Sequence, residues 1–154
     1  MSLRCYIASP WSHKAEAADA QKKFEAAGLI VTSRWIQRES NLTYEDLTKP
    51  EHEEELATQA ILDVEDVVAS DVFVILNLDK SEGKATELGM AYSLGIPIIL
   101  VGDRTRNIFY FLPGIFRADT VEQAVEGIAA TAAKTAASDG VWMTPDVKDG
   151  EVVN

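Results

Sequence analysis

Two runs with almost no polar interruption, Val72-Phe-Val-Ile-Leu and Gly95-Ile-Pro-Ile-Ile-Leu-Val, leave this chain few ways to fold. A strand that is apolar at successive positions is covered on both faces, as in a parallel sheet flanked by helices, whereas a strand with one wet face alternates. The remaining segments agree. Leu3 to Ala8 is a short apolar run halted at Ser9-Pro10-Trp11-Ser12, where Pro10 ends strand pairing and Ser12 is placed to cap a helix. From His13 to Ala27, Ala17, Ala20, Phe24 and Ala27 recur at helical spacing, and Gly28 stands at the expected C-terminal cap. Leu29 to Ser33 reads as a second strand.

Arg34 to Pro50 shows no period and is expected to be a long loop with one irregular turn; loops that long in compact domains are often functional. A helix from Glu53 to Ala69 follows, with Leu56, Ala60, Leu62, Val64, Val67 and Val68 expected to face inward. The acidic run Glu51 to Glu55 suits the positive end of that helix, and His52 lacks the spaced partners of a metal site. Val72 to Leu78 is the third strand and Gly95 to Val101 the fourth, with the Asp79 loop and a helix between them. Gly102 to Asn107 is a polar loop, Ile108 to Phe116 holds a short helical turn, and Ile115 to Ala118 is a fifth, edge strand. Thr120 caps a last helix, Val121 to Ala136, with Val125, Ile128 and Ala132 inward. This alternation predicts an α/β, three-layer, doubly wound, flavodoxin-like domain over 1–137 with a five-stranded parallel sheet. Residues 138–154 form a polar tail whose only anchor is Val141, Trp142 and Met143.

In such folds ligands sit at the carboxyl ends of the strands, here Ser9 to Ser12, Ser33 to Arg38, Asn77 to Lys84 and Gly102 to Asn107. Glu87 is expected in the first turn of the helix after the Asp79 loop, where the helix dipole keeps a carboxylate ionised and favours a bound anion.

The net charge of −11 argues against a nucleic-acid partner, which needs clustered Lys and Arg. No apolar run approaches the roughly 20 residues of a membrane span. The strand-like start lacks a leader pattern and the single cysteine, Cys5, excludes an internal disulfide, so a cytoplasmic protein with a buried structural thiol is expected. The dinucleotide, P-loop, Cys-x-x-Cys, His-Glu-x-x-His and Gly-x-Ser-x-Gly motifs are missing, and no cofactor or metal is implied. Carboxylates remain: Asp63, Asp66, Asp71, Asp79, Glu82 and Glu87 lie close in sequence to the third strand. Two carboxylates flanking one bond are the machinery of glycosidic cleavage.

Three separated motifs occur in order: Tyr6-Ile-Ala-Ser-Pro-Trp11, Asp63 eight residues before Asp71, and Ser81-Glu-Gly-Lys-Ala-Thr-Glu87-Leu-Gly-Met-Ala-Tyr with Gly95-Ile-Pro beyond it. Together they resemble the nucleoside 2-deoxyribosyltransferase family, which includes the 2′-deoxynucleoside 5′-monophosphate N-glycosidases. The resemblance runs from about Tyr6 to Phe116. It implies that Glu87 attacks the anomeric carbon of the sugar, that Asp63 assists proton handling, and that Tyr6 orients Glu87. It further implies a substrate site involving Ser9, Trp11, Asp79, Ser81 and Gly83, a deoxynucleoside or deoxynucleotide and a free nucleobase as partners, and a homodimer or higher homo-oligomer.

Several alternatives stay open on these residues. Trp11 is either an aromatic of the base pocket or a core anchor after the first strand. Ser81 stands where the transferases carry a sugar-binding Asp and the monophosphate hydrolases a Ser; it is either a phosphate-accepting hydroxyl or a plain cap. Lys84, Arg104 and Arg106 are either counter-charges for that phosphate or solvated surface cations. Beside the enzyme stands a noncatalytic nucleotide-binding or sensing module on the same scaffold. The segment Phe109-Tyr110-Phe111-Leu112 is either an interface between copies or buried within one chain.

Overall fold

The computed structural model describes residues 2–137 except Asn41, Tyr44 and Arg106, and of residues 133–137 only the backbone; the 138–154 tail expected to hang on Trp142 lies outside the described residues. Among the described residues five strands and four α-helices follow one another: β1 (Arg4–Ala8), α1 (Lys14–Ala26), β2 (Ile30–Val31), α2 (Glu53–Val68), β3 (Val72–Leu76), α3 (Glu82–Ser93), β4 (Ile98–Val101), β5 (Ile115–Ala118) and α4 (Val121–Ala137), alternating up to β4. The five strands pair in parallel in the order β2-β1-β3-β4-β5. Helix α1 packs with α4 and α2 with α3, giving the three layers. The strand order reverses at β1 and β3, the place where doubly wound sheets open a crevice. All five residues of β3 are buried, as its unbroken apolar run requires.

Register places Tyr6 beside Phe73, and their rings stack with centroids 5.4 Å apart and planes 5° from parallel. Two of the three αβ turns, after α1 and after α3, close with a glycine in the left-handed region. After α1, Gly28 has φ +87°, its N–H donates to Glu25 O, and Leu29 N–H reaches back to Phe24 O. That double bond satisfies carbonyls the helix end would leave open, and it turns the chain straight into β2.

Four expectations need correction. Ser12 makes no cap: the chain enters α1 through a 3-10 turn, Trp11–His13, closed by His13 N–H to Pro10 O at 2.9 Å. Strand β2 keeps two ladder residues: Thr32 N–H still donates to Cys5 O at 2.8 Å, and side-chain bonds follow. Ser33 Oγ accepts the Ile7 N–H at 2.6 Å, and Thr32 Oγ1 donates to Asp66 O at 3.0 Å. The 34–52 stretch carries three 3-10 turns, and the first buries Trp35 and Ile36.

The fourth correction concerns α2. Val67 and Asp66 face the sheet, Leu56 and Leu62 are half-buried, but Ala60, Val64 and Val68 point outward together with Ile61. Ile61, Val64 and Val68 are 60%, 43% and 56% exposed. The helix is apolar on two sides, and the sheet covers one of them. In the last helix Ile128 is buried and Val125 and Ala132 are half-buried, as the spacing predicts, and Ala124, not singled out, is buried as well. No helix among the described residues is long and apolar enough to cross a membrane.

Candidate active site

Glu87 lies in the second turn of α3, because the helix starts at Glu82 and not later. The dipole effect fades beyond the first turn, so it does not set the charge of this carboxyl as expected from sequence. Burial does: it pushes the Glu87 carboxyl up to about 7, with the Asp63 charge adding to the rise, while the Tyr6 hydroxyl and the Arg38 charge oppose it. Tyr6 Oη donates to Glu87 Oε1 at 2.7 Å. The other Glu87 oxygen has no hydrogen-bond partner among the described residues. Burial and the neighbouring Glu87 charge push the Tyr6 phenol far upward, so it keeps its proton and stays a donor.

The six carboxylates near β3 are sorted by their partners. Asp71 accepts the Arg4 N–H at 2.7 Å and ties β1 to β3. Buried Asp66 accepts Arg34 N–H at 2.9 Å and Arg34 Nε at 2.7 Å, fastening the Trp35 turn to α2. Glu82 is exposed. Asp79 is exposed near His13, whose Nε2 is 4.0 Å away. Asp63, one helical turn before Asp66, is the carboxylate coupled to Glu87, and Arg38 holds it at 2.6 Å and 3.4 Å.

At the end of β1, Ser9 is buried, and its Oγ contacts Pro10 O at 3.4 Å. Trp11 is 43% exposed and therefore no core anchor. Its ring leans on Trp35, centroids 6.0 Å apart, with Lys14 Nζ 4.6 Å from its own centroid. Trp35 is the buried member of the pair and donates Nε1–H to Ile7 O at 2.9 Å. An exposed aromatic face rigidly backed by a buried one is a stacking surface for a flat ligand.

Asp79, Ser81 and Gly83 line a cavity of about 760 Å³ together with Asn77, Asn107 and Tyr110. Glu87, Tyr6, Asp63 and Trp11 are not in its walls. Gly83 is one turn ahead of Glu87 on α3, and Ala85 is the last residue of that helix in the cavity wall. Ser81 caps α3, its Oγ accepting the Lys84 N–H at 3.2 Å. Lys84 is not a surface cation: it is 2% exposed, and Nζ donates to Asp79 O at 2.6 Å and Asn77 Oδ1 at 3.2 Å. It binds the Asp79 loop to the end of β3. Arg104 lies over the Phe111 ring at 5.6 Å, and Arg106 is outside the described residues. Among the described residues no group of three or more His, Cys, Asp or Glu is arranged to hold a metal.

Sequence reasoning singled out neither Trp35, Lys14 nor Arg38. For Trp35 and Arg38 the signals were their place at a ligand-bearing strand end and in a loop too long to be a mere connection; for Lys14 there was none. Of the aromatic segment, Tyr110 is buried while Phe109 and Phe111 are exposed, so only part of it is buried within the chain.

Three solved structures share this architecture. The CMP N-glycosidase of Clostridium botulinum is 17% identical with a TM-score of 0.54, over 82% of this chain and 98% of that one. A 2-deoxyribosyltransferase of Bacillus psychrosaccharolyticus is 19% identical with a TM-score of 0.57, over 79% and 90%. A conserved protein of Enterococcus faecalis is 16% identical with a TM-score of 0.59, over 84% and 99%. No curated protein sequence matches this chain. At such identities the likeness carries the fold. The family rests on the sequence itself: residues 5–143 match the model for nucleoside 2-deoxyribosyltransferase, and the chain belongs to that family.

Proposed function

We propose that this protein cleaves the N-glycosidic bond of 2′-deoxynucleosides or their 5′-monophosphates through a covalent sugar ester on Glu87. The observation that carries the reading is the Glu87 carboxylate itself, oriented by the Tyr6 hydroxyl through one oxygen at 2.7 Å with its other oxygen unclaimed among the described residues. An unclaimed Glu87 oxygen bonds to C1′, the C1′–N bond breaks, and its electron pair leaves with the base, which takes up a proton. A second base or water then attacks C1′, the ester C–O bond breaks, and the carboxylate returns. Asp63 orients the base edge and assists its proton traffic, and Trp11 supplies a stacking face. Asp79, Ser81, Gly83 and Ser9 bound the sugar and its 5′ end.

Ser81 favours the monophosphate. As the cap of α3 its oxygen takes one backbone N–H, while its own hydroxyl proton is left to donate to a phosphate beside the helix start. The test is chromatography of two incubations, one of deoxynucleosides with a different free base and one of the monophosphates alone. A new nucleoside marks the transferase and free base with deoxyribose phosphate the hydrolase. Ligand-induced stabilisation with no base released in either incubation overturns the enzyme and leaves a binding module.

Tyr6→Phe is expected to lower kcat/KM by about ten- to a hundredfold and to move its acid limb to higher pH. The lost donor stabilised the ionised carboxylate, so Glu87 ionises less readily without it. An unchanged pH profile counts against the role given to Tyr6.

The same reading proposes a cytoplasmic homodimer or higher homo-oligomer, supported by the outward apolar side of α2 at Ile61, Val64 and Val68. Val64→Glu is expected to convert the assembly to monomers in light scattering. Elution of the unmodified protein at its 16.8 kDa chain mass removes that part of the proposal.

A further inference from the structure

We infer that Arg38 is a positioning residue of this site: it clamps Asp63 at both carboxylate oxygens and sets a compensating positive charge beside Glu87. The inference rests on the role proposed for Glu87. Two arginines of one loop, Arg34 and Arg38, hold two aspartates one turn apart on α2, Asp66 and Asp63. The two rungs differ in what surrounds them. Arg34 is half-exposed and spreads over Asp66, Glu65 and the Leu62 carbonyl, which is a brace between loop and helix. Arg38 is 14% exposed and gives both terminal nitrogens to Asp63, Nη2 to Oδ1 at 2.6 Å and Nη1 to Oδ2 at 3.4 Å.

Its main chain is pinned as well. Arg38 N–H donates to Trp35 O at 3.2 Å, and its carbonyl accepts Lys14 Nζ, the same ammonium that covers Trp11. One residue therefore links the tryptophan pair, the Asp63 carboxylate and the surroundings of Glu87. A planar guanidinium held at two points fixes the plane of the carboxylate it grips, which a lysine does not.

The charges facing Glu87 come from three elements: the Tyr6 hydroxyl from β1, Asp63 from α2 and Arg38 from the loop. Asp66 also acts on Tyr6 from α2. Without Arg38, the Asp63 carboxylate is an uncompensated like charge beside buried Glu87 and disfavours its ionisation.

The test compares Arg38→Met, Arg38→Gln and Arg38→Lys in the full-length protein. Two quantities are followed: kcat/KM against pH, and the titration of the Glu87 carboxyl carbon by NMR, assigned with Glu87→Gln. In the two neutral variants the Glu87 midpoint is expected to rise by about half a pH unit or more, and the rate at neutral pH to fall about tenfold or more. Arg38→Lys keeps the charge without the fork, so the midpoint returns toward the unmodified value while the rate stays low. A midpoint unmoved in Arg38→Met or Arg38→Gln overturns the inference whatever the rate does, since a merely structural arginine costs rate without touching Glu87. Should the unmodified protein release no base from any substrate, the proposed function falls, and the NMR midpoints still decide the role of Arg38.

Discussion

Glu87→Gln is expected to lower base release by about a thousandfold or more, because the substitution removes the atom that bonds to the sugar and nothing beside it can take its place. Asp63 is occupied by Arg38, Asp66 by Arg34 and Asp71 by the Arg4 main chain. Glutamine is the informative replacement, since its carbonyl oxygen still accepts the Tyr6 hydroxyl and its volume still fills the site. Alanine would leave that hydroxyl unpaired and mix a packing defect with the chemical one. The direct readout is intact mass after acid quenching: the unmodified protein should gain the mass of a deoxyribosyl group from substrate, and the variant should not. Turnover retained in Glu87→Gln sinks the mechanism.

The same substitution should stabilise the protein. Burial raises the Glu87 carboxyl from 4.5 to about 7, so the folded chain holds that proton more tightly than the unfolded chain does. Its contribution is complete below about pH 4.5 and is lost as pH rises through about 7, because the unfolded carboxyl ionises freely across that window and the folded one does not. The shift is worth roughly 3 kcal/mol. Above neutral pH, then, Glu87→Gln should melt several degrees higher than the unmodified protein, and near pH 4 the two should converge. On the proposed mechanism, the carboxylate is kept in a place that costs stability at the pH where it works, a trade common at reacting centres. Equal melting temperatures at pH 8 would mean that Glu87 is better solvated than its position on α3 suggests.

How much of this was legible in the sequence depended on how the signal is carried. β3 and β4 were plain because an unbroken apolar run has one structural meaning, although hydrogen bonding ends β3 two residues earlier than expected and starts β4 three residues later. The aim of α2 was not legible. Leu56, Leu62 and Val67 on one side and Ile61, Val64 and Val68 on the other are equally apolar, and no periodicity says which side meets the sheet. Lys84 misled for a related reason: a lysine near a helix start normally faces water, and only the convergence of Asn77 Oδ1 and the Asp79 carbonyl, fixed by the third dimension, allows it inside. The motif residues Tyr6 and Glu87 do meet across 81 positions of chain. Asp63 joins them only electrostatically, and the Ser81 to Gly83 segment faces a cavity of its own. Ionisation was least accessible, since Glu87 was placed by its helix dipole and is governed by burial.

The stack of Tyr6 on Phe73 joins the two central strands and carries the donor that aims Glu87, whereas Trp11, Arg38 and Asn107 stand on connecting segments at the rim. On the proposed mechanism, the reacting carboxylate is thus aimed from the central strands and the base is recognised from the connecting segments. On that mechanism, exchanging the rim segments while keeping Arg38 should redirect the protein toward other bases with Tyr6 and Glu87 left in place, which makes this scaffold a natural starting point for graded retargeting.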